Sequence, residues 1–159
     1  MTAMRSTVSA GDVQAVEALV AATGFFNPGE QALAAELVSE ALDRGEASGY
    51  EFLFADAADG RLEGYACFGR IPATQSSFDL YWIAVAGDLQ GRGLGRALLS
   101  AAEAAARAHG ATCMYVDTSG REQYAPTRAF YERMGYTRAA VLENFYAPGD
   151  AKVIYSKTL

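Results

Sequence analysis

The sequence predicts an α/β domain of three layers, in which helices flank a mixed, mostly antiparallel central sheet. Strand-like and helix-like apolar runs follow one another in the order β-α-α-β-β-β-α-β-α-β-β. A glycine-rich turn, Gln90 to Arg96, joins an apolar strand to a helix past the middle of the chain. The 159 residues contain no repeat, low-complexity tract or linker, so one domain is expected over residues 1–159.

The first elements are a short strand at residues 4–8 and two helices. Ser9 to Asp12 favour a helix start. An apolar stripe at helical spacing follows, made of Val13, Val16, Leu19 and Val20. Residues 23–30 break this helix, and a second helix is predicted from about 30 to 43. Its inner side is expected to carry Leu33, Leu37 and Leu42.

Three strands are predicted in the middle of the chain. Residues 50–55 form the first strand, and Asp56 to Gly60 supply turn residues before its hairpin partner at 62–71. The third strand, residues 78–85, is almost wholly apolar and rich in β-branched and aromatic side chains. It is therefore expected at the centre of the sheet.

The glycine-rich turn opens an alanine-rich helix that runs from Leu94 to His109 and is closed by Gly110. Glu103 and Arg107 stand four residues apart and predict an ion pair along this helix. His109 lies at the negative end of the helix dipole, which favours a surface position over a catalytic one. The narrow apolar face is expected to consist of Leu94, Leu98, Ala101, Ala105 and Ala108.

The C-terminal part is predicted to contain three more strands and a short helix. Residues 111–116 form the first of these strands, and Thr118-Ser119-Gly120 is expected to be a loop. Pro126 suits the first turn of a short helix that ends at Gly135. The last two strands are predicted at residues 136–142 and 152–158.

The turn from Gln90 to Arg96 has the features of a phosphate or pyrophosphate site. At the start of a helix several backbone N–H groups lack an intrahelical acceptor, and the helix dipole adds partial positive charge. The glycines let a ligand approach the backbone, and Arg92 and Arg96 add full positive charges. The spacing fits neither the P-loop nor the dinucleotide fingerprint, so those two nucleotide sites are not expected. For the turn taken alone, the alternative is a glycine-rich turn that binds nothing.

Composition and charge exclude several classes of function. The net charge of −6 argues against a general nucleic-acid-binding surface, which would need a basic patch. The chain has no apolar run of membrane-spanning length and no apolar signal region at its start, so a cytoplasmic protein that binds no membrane is expected. Cys67 and Cys113 are expected to be buried, reduced thiols. One histidine and no Cys-x-x-Cys leave no credible metal site, and a serine triad is not supported.

Three segments together resemble the GNAT superfamily of N-acetyltransferases, and nearly the whole chain fits its element order. The first is the strand Leu80 to Val85 with Gln90-x-x-Gly93-x-Gly95, which matches the superfamily's Gln/Arg-x-x-Gly-x-Gly/Ala pyrophosphate loop. The second, Ala129 to Tyr136, looks like its Ala-x-x-Phe-Tyr-Glu-Lys-Leu-Gly-Phe helix and turn. The third, Phe145 to Val153, looks like a hairpin of some bacterial members. The resemblance implies the GNAT acyl-CoA N-acyltransferase fold.

The same resemblance implies a reaction and its participants. Acetyl-CoA would be the co-substrate, without a metal, and a small-molecule or peptide amine would attack it directly through a tetrahedral intermediate. Backbone donors on the central strand would stabilise the oxyanion. A non-catalytic CoA-binding sensor or partner-binding module on the same fold is the alternative. Dimers are common in the family, so a homodimer is one expected state.

The resemblance also implies how CoA is held. The main chain of three strand residues would pair with the pantetheine arm, namely Ile83, Ala84 and Val85. The pyrophosphate would lie on the loop, whose residues are Gln90, Gly91, Arg92, Gly93, Leu94, Gly95 and Arg96. Family members usually carry Asn seven residues before the equivalent of Tyr131, where it helps to hold CoA, and this chain has Tyr124 there. The local contact is therefore expected to differ, or Thr118 and Ser119 supply it.

Tyr131 is the candidate general acid, because it matches the family's tyrosine that protonates the departing CoA thiolate. Phe130 and Met134 are expected to fill the core face of their helix. Tyr131 projects about 100° away from Phe130 and could then face a cleft. The alternative is a core tyrosine.

Asp79 is the candidate general base. Some family members carry an acidic residue at this place, and here it is a lone carboxylate in an otherwise apolar strand. Burial would raise its pKa and make it a better base near neutral pH. The alternative is a strand-end carboxylate open to water. Glu30 and Glu36 are weaker candidates, and a base acting through an ordered water is a further option.

The acceptor side has only weak candidates. Phe25 and Phe26 lie in the loop between the first two helices and would either plug the core or line the substrate pocket. Glu30 and Tyr81 are two further candidates for contact with the acceptor. The sequence does not identify the amine.

Overall fold

The structure, a computed structural model, describes residues 2–159, and these contain seven strands and four α-helices in the predicted order. The strands are β1 (Ala3–Arg5), β2 (Glu51–Asp56), β3 (Leu62–Arg70), β4 (Ser77–Val85), β5 (Cys113–Ser119), β6 (Thr137–Ala147) and β7 (Asp150–Thr158). The helices are α1 (Ala10–Ala22), α2 (Pro28–Arg44), α3 (Leu94–Ala108) and α4 (Ala125–Arg133). Short 3-10 helices lie at Gly45–Ser48, Gly87–Leu89 and Glu122–Tyr124.

All seven strands form one sheet, in the spatial order β1-β2-β3-β4-β5-β7-β6. Neighbouring strands run antiparallel except β4 and β5, which are parallel because α3 crosses over between them. The predicted mixed, mostly antiparallel sheet is therefore confirmed.

Helices cover both faces of the sheet and create two cores. The strand β3, buried except for Arg70, contributes to both cores because its residues alternate between the faces. Tyr65 belongs to the core beneath α1 and α2, whereas Phe68 belongs to the core beneath α3 and α4. Burying an apolar side chain such as that of Phe68 contributes about 1.5–3 kcal/mol. These two cores hold the three layers together.

The inner face of α2 differs from the prediction. Leu33 and Leu42 are 47% and 42% exposed, and Leu37 is only partly buried. The buried residues of this helix are instead small, namely Ala34, Ala35, Val38 and Ala41. Small side chains let a helix lie close to its neighbours, so a pattern based on leucine selected the wrong face.

The face of α3 is also rotated from the prediction. Leu98, Leu99, Ala102 and Ala106 are buried, whereas Ala108 is exposed. Glu103 lies on this inner face and is only 3% exposed. Its carboxylate accepts from the Tyr136 hydroxyl at 2.7 Å and from Lys157 Nζ at 3.0 Å. The predicted ion pair with Arg107 is therefore wrong.

Three smaller predictions were also tested. Thr118 and Ser119 do not form a loop but complete β5, where they pair with β7. Cys67 and Cys113 are both free thiols, but only Cys67 is fully buried. His109 lies at the surface as expected, with Nδ1 2.7 Å from Glu51 Oε1. No helix within the described residues is long and apolar enough to cross a membrane.

Candidate functional site

A gap opens between the two central strands of the sheet. β4 and β5 pair only over their first three residues, Ser77–Asp79 with Cys113–Tyr115. Beyond this point β4 continues to Val85 along β3, and β5 continues to Ser119 along β7. Two strands that separate in this way leave an edge of backbone N–H and C=O groups on β4, which another extended group can pair with.

A β-bulge changes the direction of side chains on β4 within this gap. Cys67 of β3 lies opposite Trp82 and Phe68 lies opposite Leu80, so Tyr81 has no partner on β3. Tyr81 and Trp82 consequently both pack against the core beneath α1 and α2, while Ile83 packs against the opposite core.

The glycine-rich turn lies at the end of β4. Gly91 and Gly93 have positive φ angles of 78° and 87°, which side-chain-bearing residues rarely adopt. Within the described chain, no protein acceptor is found for the amides from Gly91 to Arg96. These N–H groups and the start of α3 therefore form a positively polarised surface, to which exposed Arg92 and Arg96 add charge.

The surroundings of the turn leave room for a ligand. A Cβ at Gly91 or Gly93 would meet no atom within 4 Å, so the space on the ligand side is open. A cavity of about 370 Å³ adjoins the turn and is lined by Thr2, Leu89, Arg92, Gly93, Leu94 and Ala97. The Gln90 side-chain amide donates to the Val85 carbonyl at 3.3 Å and ties the turn to the strand end.

These features fit acetyl-CoA in two respects. A pyrophosphate suits the free amides from Gly91 to Arg96, and an extended arm with amide groups suits the free edge of β4 at Ile83, Ala84 and Val85. The turn directly follows this edge, so one ligand can contact both.

Tyr131 does not line an open cleft with its ring. The residue is 4% exposed, and its ring centroid lies 5.9 Å from that of Tyr136 and 6.0 Å from that of Tyr155. The environment of the ring thus matches the core-tyrosine alternative. Within residues 2–159, the polar side-chain atoms sealed without a partner are the Tyr65 hydroxyl and the Trp82 indole nitrogen, and the Tyr131 hydroxyl is not one of them. Burial raises the pKa of Tyr131 well above its usual range, so the hydroxyl stays protonated.

Asp79 lies at the point where β4 and β5 separate, opposite Tyr115. Its neighbours Phe78 and Leu80 are in the core beneath α3 and α4, so Asp79 faces the other side of the sheet. The side chain is half-buried. Burial raises its pKa, the Asp117 carboxylate raises it further, and Lys152 lowers it. The carboxylate thus has the raised pKa that the sequence led us to expect.

Tyr81 lies near Asp79 on the same side. Burial raises the pKa of Tyr81 to about 12, and the Asp79 carboxylate contributes to this increase. Its ring is in edge-to-face contact with Tyr50, with centroids 5.3 Å apart. Tyr81 is therefore neutral and fixed at the side of the gap.

Four aromatic rings follow one another on the α1–α2 side, and we call them the aromatic row. The row consists of Trp82, Phe26, Phe25 and Tyr124. Their successive ring centroids are 5.1, 6.3 and 5.5 Å apart. Phe26 packs against the core, as one of the two sequence-based alternatives stated, whereas Phe25 is 36% exposed. Sequence reasoning missed Trp82 as a member, because a single tryptophan in an apolar strand carries no spacing signal.

The two glutamates proposed as weaker bases have other surroundings. Glu30 caps α2, because its carboxylate accepts from the Asn27 amide at 3.0 Å while its own amide donates to Asn27 Oδ1 at 2.8 Å. Glu36 is exposed on α2. The cap holds the Glu30 carboxylate at the helix start.

Thr118 and Ser119 are both buried at the end of β5. The Ser119 hydroxyl donates to the Asp150 carboxylate and accepts from the Arg121 amide at 3.1 Å. This hydroxyl therefore already has two protein partners. Val116 belongs to the core beneath α3 and α4, and Thr118, two residues on, lies on that face.

Residues 48–138 match the family model of the acetyltransferase (GNAT) domain. Among solved structures, a Desulfovibrio desulfuricans protein assigned to the GNAT family of acetyltransferases shares 47% identity, covers 99% of both chains and superposes with a TM-score of 0.97. No curated protein matches significantly.

More distant structures share the fold alone. The ribosomal-protein-S18-alanine N-acetyltransferase of Escherichia coli has a TM-score of 0.78 at 21% identity, over 99% of this chain and 94% of its own. An aminoglycoside 6'-N-acetyltransferase in complex with coenzyme A has a TM-score of 0.76 at 16% identity, over 99% of this chain and 96% of its own.

Proposed function

Because this chain belongs to the GNAT family of acetyltransferases, we propose that it transfers the acetyl group of acetyl-CoA to a primary amine by direct attack, with residues 1–159 acting as one domain. The observation that carries this proposal is the gap between β4 and β5, which ends at a turn with free amides. The acceptor side of the gap would receive the amine.

We propose that the chain holds acetyl-CoA by its main chain. The amides from Gly91 to Arg96 would bind the pyrophosphate, with Arg92 and Arg96 adding charge. Ile83, Ala84 and Val85 would pair with the pantetheine arm along the free edge of β4. Thr118 and Ser119 would line the opposite wall of the gap from β4. The Ser119 hydroxyl would not bind CoA directly, because it already has two protein partners.

Acetyl-CoA supplies an activated acyl carbon, and the proton transfers would fall to two side chains. The amine nitrogen attacks the carbonyl carbon and forms a C–N bond, while its proton passes to the carboxylate of Asp79. Backbone N–H groups of β4 stabilise the oxyanion. The C–S bond then breaks, and the thiolate takes a proton from the Tyr131 hydroxyl. The raised pKa of Asp79 supports its role as the base. The raised pKa of Tyr131 keeps its hydroxyl protonated, so a proton is present when the thiolate forms.

The test begins with binding. Acetyl-CoA at about 100 times its dissociation constant should add about 2.7 kcal/mol of stability. For a domain of this size that is an increase in Tm of roughly 5–10 °C. NAD and ATP serve as controls and should give no comparable shift. Thiol release over a panel of primary amines then measures turnover.

Two results would contradict the proposal. Absence of a shift at millimolar acetyl-CoA would show that the glycine-rich turn is not a working CoA site. An increase in Tm with acetyl-CoA, but no thiol release for any amine in a broad panel, would support binding alone and contradict the proposed acetyl transfer.

A further inference from the structure

The aromatic row crosses the gap between β4 and β5 on the side away from α3 and α4. Trp82 belongs to the part of β4 that has separated from β5, and Tyr124 follows the end of β5. Phe26 and Phe25, from the loop between α1 and α2, connect the two. The aromatic row therefore lines this side of the gap, which we call the passage.

The outer pair of the row, Phe25 and Tyr124, differs from the inner pair. Phe26 and Trp82 pack against the core, whereas Phe25 is 36% exposed and Tyr124 is only partly buried. The Phe25 ring meets Tyr124 edge-to-face at 5.5 Å. Residue Gly24 before it has a φ of 71° in an exposed loop. An edge-to-face pair at the surface can take up a third ring without disturbing the core.

Carboxylates surround this outer pair. Burial raises the pKa of Tyr124, the carboxylates of Glu30 and Asp150 raise it further, and Arg121 lowers it, which places these charges within electrostatic range of this ring. Arg121 lies 3.7 Å from Asp150 and 6.0 Å from the Tyr124 ring centroid, Lys152 lies 3.1 Å from Asp117, and Arg128 donates to the carbonyls of Ser119 and Arg121. With Asp79 at the inner end, four carboxylates face these three cations, so the passage carries a small excess of negative charge. A protonated amine is attracted to such a passage.

Aromatic rings with an excess of carboxylates suit one class of acceptor. We infer that Phe25 and Tyr124 are specificity-determining residues that select an amine carried on a flat aromatic group, as in an arylalkylamine. The inference rests on the proposed function and names the substrate class of that same site. The aromatic group of the acceptor packs against the exposed side of the Phe25 and Tyr124 pair, and its ammonium group points along the passage towards Asp79.

The only tryptophan of the chain, Trp82, provides a readout that does not need turnover. The protein saturated with CoA is titrated with 2-phenylethylamine, n-propylamine, spermidine and 3-phenylpropionate while Trp82 emission is recorded. We expect 2-phenylethylamine to bind at least tenfold more tightly than each of the other three, because only this probe has both a ring and an ammonium group. Equal affinities for 2-phenylethylamine and n-propylamine, or no binding of any amine, would overturn the inference.

Variants of Phe25 and Tyr124 test whether these two residues cause the preference for 2-phenylethylamine. F25L and Y124L should each reduce the preference for 2-phenylethylamine over n-propylamine about two- to tenfold, the range of one aromatic contact. Y124F retains the ring and should retain the preference. Leu42→Ala removes an exposed apolar side chain from the far end of α2 and serves as the control. A preference that is the same in F25L, Y124L and the control would overturn the assignment of these residues.

Thiol release with the same probes separates this inference from the proposed function. Turnover of n-propylamine as efficient as that of 2-phenylethylamine would overturn the inference and leave acetyl transfer intact. Selective binding of 2-phenylethylamine without release of thiol from acetyl-CoA would contradict acetyl transfer and leave the ring selectivity intact.

Discussion

Consecutive residues of β4 have different roles, because they face opposite sides of the sheet. Phe78 and Leu80 fill the core beneath α3 and α4, and Asp79 between them faces the acceptor side. The bulge at Tyr81 then interrupts the alternation once, so that Tyr81 and Trp82 share a side. A single strand thus supplies core packing, a carboxylate of raised pKa and part of the aromatic row.

Replacing Asp79 by Asn should reduce activity and increase stability at neutral pH. The folded-state pKa of Asp79 is raised, first by burial and then by Asp117, so the charged form is disfavoured in the folded protein. Protonated Asp79 is favoured in the folded protein, and the stability that it contributes is fully present below the unfolded-state pKa of about 3.9. This stability is lost as pH rises through the raised folded-state pKa. The variant should therefore have a higher Tm than the wild type at pH 7 and the same Tm below about pH 3.9.

The kinetic part of this prediction has its own control. D79N should lower kcat/KM about 10²- to 10⁴-fold and remove the acidic limb of its pH profile, because a base must be deprotonated to act. D117N removes one cause of the raised pKa of Asp79, so its acidic limb should move to lower pH. Asp43→Asn, on the exposed side of α2, is the matched control. An acidic limb that D79N leaves in place would disprove the role of Asp79 as base.

Replacing Tyr131 by Phe should separate catalysis from packing. The ring lies among Phe130, Tyr136 and Tyr155, and Phe retains that contact area. Loss of a general acid lowers kcat by about 10²- to 10⁴-fold, while the KM for acetyl-CoA should stay within about twofold. Steady-state thiol release across pH and thermal unfolding measure both effects. Unchanged kcat over the whole pH range would mean that Tyr131 is a core residue only.

At the level of elements, the start of α3 depends on two glycines for different reasons. Gly93 has a φ of 87° at the helix N-cap, while Gly95 lies in the helix, where an added Cβ would meet Val85 Cγ2 at 3.7 Å, an ordinary contact. Backbone conformation therefore requires glycine at position 93 but not at position 95.

G93A should lower the free energy of unfolding by about 1–2 kcal/mol, the cost of a left-handed conformation for a residue with a Cβ. G95A should leave stability unchanged or raise it by up to about 1 kcal/mol, since alanine favours helix over glycine. Urea unfolding without ligand measures both variants. Equal losses for G93A and G95A would contradict the assigned backbone conformations. In an activity assay, G93A should also raise the KM for acetyl-CoA, because the amides of the turn lose their alignment.

A buried charge network joins α3, β7 and the turn after α4. Lys157 Nζ lies 3.0 Å from Glu103 and donates to the Met134 carbonyl at 2.8 Å, and the Tyr136 hydroxyl donates to Glu103. K157M leaves the Glu103 carboxylate uncompensated and should cost about 3–5 kcal/mol of unfolding free energy. The double variant K157M/E103Q removes the stranded charge and should cost less than K157M alone. Urea unfolding measures K157M, E103Q and the double variant. A loss in the double variant equal to the sum of the two single losses would show that Lys157 and Glu103 are not coupled.

The sequence predicted the order and type of every strand and α-helix, because turn residues and apolar periodicity agree along this chain. The prediction of buried residues was wrong where the size of a side chain or a partner distant in the sequence determines which residues face inward. Alanines rather than Leu33 and Leu42 face inward on α2, since close packing favours small side chains. Glu103 is buried because Lys157, 54 residues away, accompanies it. No local pattern carries that information.

The sequence predicted some parts of the candidate site and not others. The turn from Gln90 to Arg96 is a local motif, so its position and backbone polarity followed from the sequence. The aromatic row joins β4, the α1–α2 loop and the segment after β5, which only the folded chain brings together. The sequence left the burial of the Tyr131 ring open, because Tyr136 and Tyr155 complete its surroundings from other elements.

At the scale of the whole molecule, the sheet consists of two parts joined over a short distance. β1 to β4 form one antiparallel part, and β5, β7 and β6 form the other. Their strands pair over only three residue pairs, from Ser77 with Cys113 to Asp79 with Tyr115. The core beneath α3 and α4 packs against both parts. A ligand that pairs with β4 in the gap would therefore bridge the two parts.

This arrangement predicts a local pattern of hydrogen exchange on binding acetyl-CoA. The amides from Gly91 to Arg96 have no acceptor within the described chain, so they should exchange quickly in the free protein. Acetyl-CoA at about 100 times its dissociation constant should slow the exchange of these amides, and of those on the free edge of β4, by up to about 100-fold. The amide of Asp59, in the exposed turn between β2 and β3, is the control and should keep its rate. Slowing of Asp59 to the same degree would indicate a global effect, and unchanged exchange from Gly91 to Arg96 would show that the pyrophosphate does not bind there.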